Sequence, residues 1–318
     1  MNQSITISLF IANCLLLTAC YFAQSPNTQS AVGNRQLAID NDYDNNKYLI
    51  SNIQHPVSSI QHPEPTFSLL KTIPVNTSLF TTDNLGQLYI VENEQLLKYN
   101  PKGILLSTYS NKNLGNISFV DAANPLRLLL FYKDFAQVIF LDNALSILGG
   151  NISLEQMGFE QTTLICTSND NGLWIYDPKD FRLIRLDQNL KTTYHSGDIN
   201  QLLGIEINPN YLIEYNNWVY LNNPETGIMV FDFYGTYYKT IPLKRLTSFQ
   251  VVGDNIFYFS DNYLKSYHLK SFEKNSINLP AYPDSIVVES PIYRDVRIEK
   301  QKLFLLRGKS LDLYLIKE

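Results

Sequence analysis

The sequence predicts an all-β chain folded as a six-bladed propeller, and three observations carry that prediction. Short apolar runs of β-type composition fill the chain from about residue 67 onward, and its aromatic residues are mostly Tyr and Phe, 21 and 17 of them, as strands packed face to face require. Helical periodicity is confined to two short stretches, residues 153–157 and 198–203. An apolar run recurs six times, beginning at Leu88, Leu128, Leu173, Val219, Ile256 and Leu303, with spacings of 40, 45, 46, 37 and 47 residues. A repeat of that length, holding four short strands, is a propeller blade. A seven-bladed ring is the alternative.

Each blade is built from the same signals. A polar turn precedes most of the recurring runs, as in Asn84-Leu85-Gly86, Asn169-Asp170-Asn171-Gly172, Asn216-Asn217 and Gly253-Asp254-Asn255. A second run follows in the first five units and in four of them ends in or just before Asn or Asp: Asn100, Asp142, Asp187 and Asp232. These side chains satisfy backbone donors in tight turns, so the position predicts a turn into the next strand. After Leu303 only 15 residues remain, too few for the last outer strand. The spare run Phe67-Ser68-Leu69-Leu70-Lys71-Thr72-Ile73 is predicted to supply it, which closes the ring and removes two free strand edges.

The loops are unequal. The connectors between blades are long, at residues 110–115, 149–161, 196–209 and 281–294, and share a face with the turns around Lys133-Asp134-Phe135, Pro178-Lys179-Asp180-Phe181 and Pro224-Glu225-Thr226. Long loops on a rigid scaffold carry recognition, and aromatic residues and Met are enriched in interfaces. The predicted partner face is therefore Lys133, Asp134, Phe135, Met157, Phe159, Lys179, Asp180, Phe181 and Glu225. The plainer alternative is that the apolar members fold back onto their own blades.

The N-terminal region reads differently. Residues 5–19 are uncharged and largely apolar, too short to span a bilayer, and end in Leu17-Thr18-Ala19-Cys20. That pattern resembles the lipobox of bacterial lipoproteins, in which cleavage precedes the cysteine and its thiol carries a diacylglycerol. The resemblance implies a signal peptide over residues 1–19, lipidation at Cys20, and a protein held to a membrane of the cell envelope. No acidic residue follows Cys20 closely, which in lipoprotein sorting favours the periplasmic face of the outer membrane. Residues 20–66 are rich in Asn, Gln, Ser and Pro, a composition that reads as a flexible tether, and residues 67–318 form the propeller. The echo of Ile53-Gln54-His55-Pro56 in Ile60-Gln61-His62-Pro63 is a linker duplication: an extended X-Pro backbone offers the two histidines no third ligand.

Function is readable only as a class. The net charge of −5 and the absence of a Lys/Arg-rich stretch argue against nucleic acid. The propeller holds only His195 and His268, and no motif for nucleophilic, metallohydrolase or nucleotide chemistry. Cys166 sits in an apolar β-type run and reads as a buried thiol. Residues 88–103 resemble the repeat of the NHL-type six-bladed propellers, which bears on fold and not on activity. Six-bladed propellers include calcium-dependent hydrolases with acidic channel residues. Here the innermost strands offer Asp121 and Glu214, with Gln250 and Asp295 as weaker additions, against the six to eight oxygens calcium takes. The leading expectation is a non-enzymatic, cofactor-free interaction or scaffold module with a protein partner in the envelope. By analogy it would be an accessory subunit of an outer-membrane assembly or secretion machine. The alternative is a calcium-dependent hydrolase or small-ligand binder using the channel.

Overall fold

The computed structural model describes residues 65–77, 79–280 and 293–317. The lipobox with Cys20, the tether, the His55 and His62 echo and most of the connector 281–294 lie outside these residues. Strand β1 (Thr66–Pro74) comes first. Blade one is β2 (Leu79–Thr82), β3 (Leu88–Glu92), β4 (Gln95–Tyr99) and β5 (Leu105–Ser110). Blade two is β6 (Phe119–Asp121), β7 (Leu128–Tyr132), β8 (Gln137–Leu141) and β9 (Ile152–Ser153). Blade three is β10 (Leu164–Thr167), β11 (Leu173–Asp177), β12 (Arg182–Leu186) and β13 (Thr192–His195), followed by the short helix α1 (Ile199–Leu203). Blade four is β14 (Tyr211–Tyr215), β15 (Trp218–Asn223), β16 (Gly227–Asp232) and β17 (Tyr237–Ile241). Blade five is β18 (Gln250–Val252), β19 (Asn255–Ser260), β20 (Tyr263–His268) and β21 (Lys274–Asn278). Blade six is β22 (Asp295–Glu299), β23 (Lys302–Leu306), β24 (Ser310–Lys317) and, as its outer strand, β1.

The ring therefore has six blades and not seven, and the spare N-terminal run closes it. β1 runs antiparallel to β24 from Thr66 opposite Lys317 to Pro74 opposite Ser310, with one irregularity between Leu69 and Lys71. The seam also has a side-chain bond: Thr72 Oγ1 donates to Asp312 Oδ1 at 2.7 Å. Asp312 is fully buried and forms an ion pair with Arg307.

The turn chemistry repeats. Oδ1 of Asn100, Asp142, Asp187 and Asp232 accepts the backbone N–H groups two and four residues on, at 2.8–3.0 Å in all eight bonds. The residue three places on is left-handed each time: Gly103, Leu145, Leu190 and Gly235. The tight hairpins use paired left-handed residues, Asn93-Glu94, Asn216-Asn217, Asp261-Asn262 and Lys300-Gln301, whose twist matches that of the flanking strands. The core is a ring of layers between neighbouring blades. Leu128, Leu130 and Tyr132 pack on blade one, and Leu129 and Phe131, on the other face of β7, pack towards blade three. The buried second strands thus read as continuous apolar runs because both faces are covered.

Two loop expectations change. Residues 149–161 are not one connector, because Ile152 and Ser153 pair with Val138 and Gln137 as the outer strand of blade two. That outer edge is broken: Ile147 bridges Leu141, and the chain then leaves through Gly149, at φ +77°, and Gly150 before pairing again. Blade two therefore has a long third-to-fourth-strand turn, 142–151. A further connector, 242–249, joins blades four and five. The two helical stretches become a 3-10 turn at Glu155–Met157 and α1, capped by Asp198.

Candidate functional site: the axial channel

The strands β2, β6, β10, β14, β18 and β22 surround the axis. Side chains alternate across a strand, so β14 turns Tyr211, Ile213 and Tyr215 inward and β22 turns Asp295, Arg297 and Glu299 inward, with buried residues between them. Three rings plug the channel. Tyr211 meets Phe119 edge-on at 6.0 Å and Phe249 edge-on at 5.2 Å between centroids, the arrangement aromatic quadrupoles favour. Arg297 Nη2 donates to the Tyr211 hydroxyl at 3.3 Å.

Phe119 and Tyr211 line a cavity on either side of this plug. The larger, about 620 Å³, opens among the long loops of blades two to four. Its apolar walls include Phe131, Ile165, Tyr176, Pro178 and Phe181, and Lys133, Glu206 and Asn208 stand exposed at its rim. The smaller, about 210 Å³, faces the short turns and is bordered by Asp121, Gln250, Arg297 and Glu299. Burial opposes the charge of Arg297, but Tyr211 and Asp295 outweigh it and hold the guanidinium above its ordinary value. Burial raises the Asp295 carboxyl against the pull of Arg297. It also pushes Glu299 up to about 7, with Lys300 opposing.

The two sequence-predicted metal candidates both border the smaller cavity, and donors of blade three engage both. Asp121 Oδ2 accepts the Thr167 backbone N–H at 2.8 Å and its hydroxyl at 2.7 Å. Glu214, 9 % exposed, accepts the Asn169 N–H at 3.0 Å and the Trp174 indole N–H at 2.7 Å. Gln250 spans the backbone of Ile298 in blade six in the same way, accepting at 2.9 Å and donating at 3.3 Å. Among the described residues no group of three or more His, Cys, Asp or Glu is placed to hold a metal ion.

Of the predicted partner face, the structure brings Lys133 and Phe181 to the mouth of the larger cavity. Phe181 adopts φ +48° and its carbonyl accepts the Ile199 N–H at 2.8 Å, which ties α1 and its connector beside the mouth. Asp134 and Phe135 are exposed in the same 3-10 turn as Lys133, with the Phe135 ring over Gly115. Lys179 is exposed, Asp180 pairs with Arg182 at 2.7 Å, and Glu225 is exposed on blade four. Met157 and Phe159 fold back as partly buried members of the layer between blades two and three. The sequence reading missed Phe119, Tyr211, Glu206 and Asn208. An aromatic at an inward position of two innermost strands was the available signal for the first pair.

The histidines stand away from the axis. His195 is exposed at the end of the outer strand β13, and His268 Nδ1 accepts the Ser271 N–H at 2.9 Å in the outer turn of blade five. Cys166 is buried in β10, and burial raises its thiol well above the usual range, which suits packing and not nucleophilic attack.

No protein-family model matches the chain, and no curated protein sequence matches it. Solved structures share its fold. Virginiamycin B lyase from Staphylococcus aureus superposes with a TM-score of 0.55 at 10 % identity, over 79 % of this chain and 100 % of the lyase. The WD40 domain of Neurospora crassa Pan2 gives 0.52 at 10 % identity, over 77 % and 81 %. BBS1N, solved in complex with ARL6DN, gives 0.52 at 11 % identity, over 80 % and 98 %. An inactive form of the lyase, solved with quinupristin, carries a histidine-to-alanine change. An enzyme and a binding protein thus share one architecture, so the likeness defines the class, a β-propeller, and leaves activity to the site.

Proposed function

We propose that the protein is an envelope lipoprotein, anchored through Cys20 at the periplasmic face of the outer membrane, whose propeller binds a protein partner without catalysis. An accessory role in an outer-membrane assembly or secretion machine fits this reading. The observation that supports it most is the larger axial cavity. It is a preformed recess of about 620 Å³ with both apolar and polar walls, set among blades two to four on the long-loop face, floored by packed rings and rimmed by one cation and one anion. Such a recess accepts a side-chain anchor from a partner while Lys133 and Glu206 fix its polar surroundings.

The test is site-specific photocrosslinking in cells at native expression. A crosslinker at Lys133 or Glu206 is expected to give one discrete adduct with an envelope protein. One at Lys274, on the outer strand of blade five, is expected to give none. The same adduct from all three positions, or none from any, would count against the reading. Cys20→Ala is expected to release the protein from membranes with an unchanged melting temperature, because the six sheets are complete from Thr66 onward.

A further inference from the structure

The face opposite the long loops carries aromatic residues that the fold does not require. Trp218, Tyr238 and Phe272 are 36 %, 61 % and 61 % exposed and gather around the cleft between blades four and five. Trp218 is out of pattern with the repeat. It directly precedes the apolar run of its blade, where the other five blades carry Gln87, Arg127, Gly172, Asn255 and Lys302. Five blades build that position from a polar residue or glycine, so blade four does not need an indole there to fold.

The indole stands against the Tyr238 ring, with centroids 5.1 Å apart and planes at 45°. Both line a cleft of about 320 Å³, whose remaining edge includes Asn216, Asp254, Lys270 and Lys239. Lys270 pairs with Asp254 at 2.7 Å. Lys239 has no ion-pair partner among the described residues. Its ammonium lies 5.4 Å from the Tyr238 ring centroid and 5.5 Å from that of Phe272, held by ring faces.

We propose that this cleft binds an acidic sugar ring of an envelope glycan. Flat aromatic faces cover the apolar C–H face of a pyranose, and the amide, carboxylate and ammonium groups around them match its hydroxyls. The volume suits a small ligand fixed by a few polar groups. Two ammonium groups against one carboxylate disfavour a cationic ligand, and Lys239 is placed to meet a sugar carboxylate. An apolar ligand would leave the polar edge without partners. The acidic ring can come from cell-wall glycan or from a lipopolysaccharide core, and the test separates these sources.

The chain has two tryptophans. Trp174 is fully buried on Glu214, so a ligand-induced emission change reports on Trp218. The protein is titrated with the N-acetylglucosamine–N-acetylmuramic acid disaccharide, with a deep-rough lipopolysaccharide core oligosaccharide, and with maltose as neutral control, in parallel with calorimetry. A saturable emission change is expected with at least one acidic glycan, and the one that responds identifies the source. Tyr238→Ala and Trp218→Ala are expected to weaken binding at least about tenfold at unchanged melting temperature. Lys239→Gln is expected to reduce the acidic glycan to the level of maltose. No saturable response to either acidic glycan at millimolar concentration overturns the proposal. Equal affinity for maltose in the wild type, or undiminished binding in Tyr238→Ala, also overturns it.

Discussion

Glu214 shows how one carboxylate holds two blades. It lies on the face of β14 turned away from Tyr211 and Tyr215, and it receives the indole N–H of the largest buried side chain in blade three and a backbone N–H beyond β10. Glu214→Ala leaves the buried Trp174 indole N–H and the part-buried Asn169 N–H without their acceptor, and a buried donor left unpaired costs about 1–3 kcal/mol. A loss of roughly 3 kcal/mol and of roughly 6–12 °C in melting temperature is expected. Glu214→Gln keeps one acceptor oxygen and should cost about half as much. A melting curve of Glu214→Ala within a degree or so of wild type would refute the stitching role. Glu299 gives a pH dependence. Its carboxyl, ordinarily at 4.5, is pushed up to about 7, chiefly by burial. The native state then binds the extra proton between these values. This contribution is complete below about pH 4.5, falls as the pH rises to about 7, and is flat above. With Lys300 opposing and the side chain only partly buried, the loss is on the order of 2 kcal/mol. Glu299→Gln, which keeps the uncharged shape, should match wild type near about pH 5 and exceed it near about pH 8. Urea denaturation at the two pH values checks this, and an equal difference at both would sink it.

The strand most exposed to test is β1, because it alone joins the two ends of the described chain. Its pairing with β24 covers an edge that would otherwise be free, and Thr72 adds the bond to buried Asp312. Thr72→Val, which keeps shape and removes the hydroxyl, is expected to cost about 1–2 kcal/mol in chemical denaturation. Deletion through Pro74 should cost far more and expose β24. Size-exclusion chromatography of that deletion is expected to show aggregate; a stable monomer would mean that closure contributes little. The sequence carried this element openly, because a six-fold repeat that ends one strand short and begins one strand early has a single economical closure. The Asx turns after β4, β8, β12 and β16 were readable too, since the chemistry of each is local to five residues. The broken outer strand of blade two was not. Its two residues, Ile152 and Ser153, are too few for a periodic signal, and Gly149-Gly150 looks the same whether it lies inside a strand edge or a connector. The roles of Asp121 and Glu214 were hidden for a different reason. Their donors, Thr167, Asn169 and Trp174, lie 40 to 46 positions away, and only the arrangement of neighbouring blades brings them near.

The ring presents two faces with different chemistry, separated by the plug of Phe119, Tyr211 and Phe249. Loop length pointed to one face, where the larger cavity opens. The other face, with short turns, holds the Trp218 and Tyr238 cleft that loop length alone would have passed over. Because each blade packs chiefly on its two neighbours, a change at the rim of blade three need not reach the cleft between blades four and five. Phe181→Asn is a suitable probe. Phe181 sits at φ +48°, a left-handed conformation that Asn tolerates better than Phe, so the variant removes the ring at the cavity mouth without straining the turn. It is expected to lose the adduct formed by a crosslinker at Glu206 and to keep the wild-type emission response to acidic glycan. Tyr238→Ala should do the reverse, and the double variant should lose both. If Phe181→Asn also abolished the glycan response at an unchanged melting temperature, the two faces would be coupled through the plug. The ring would then act as one two-sided receptor and not as two independent ones.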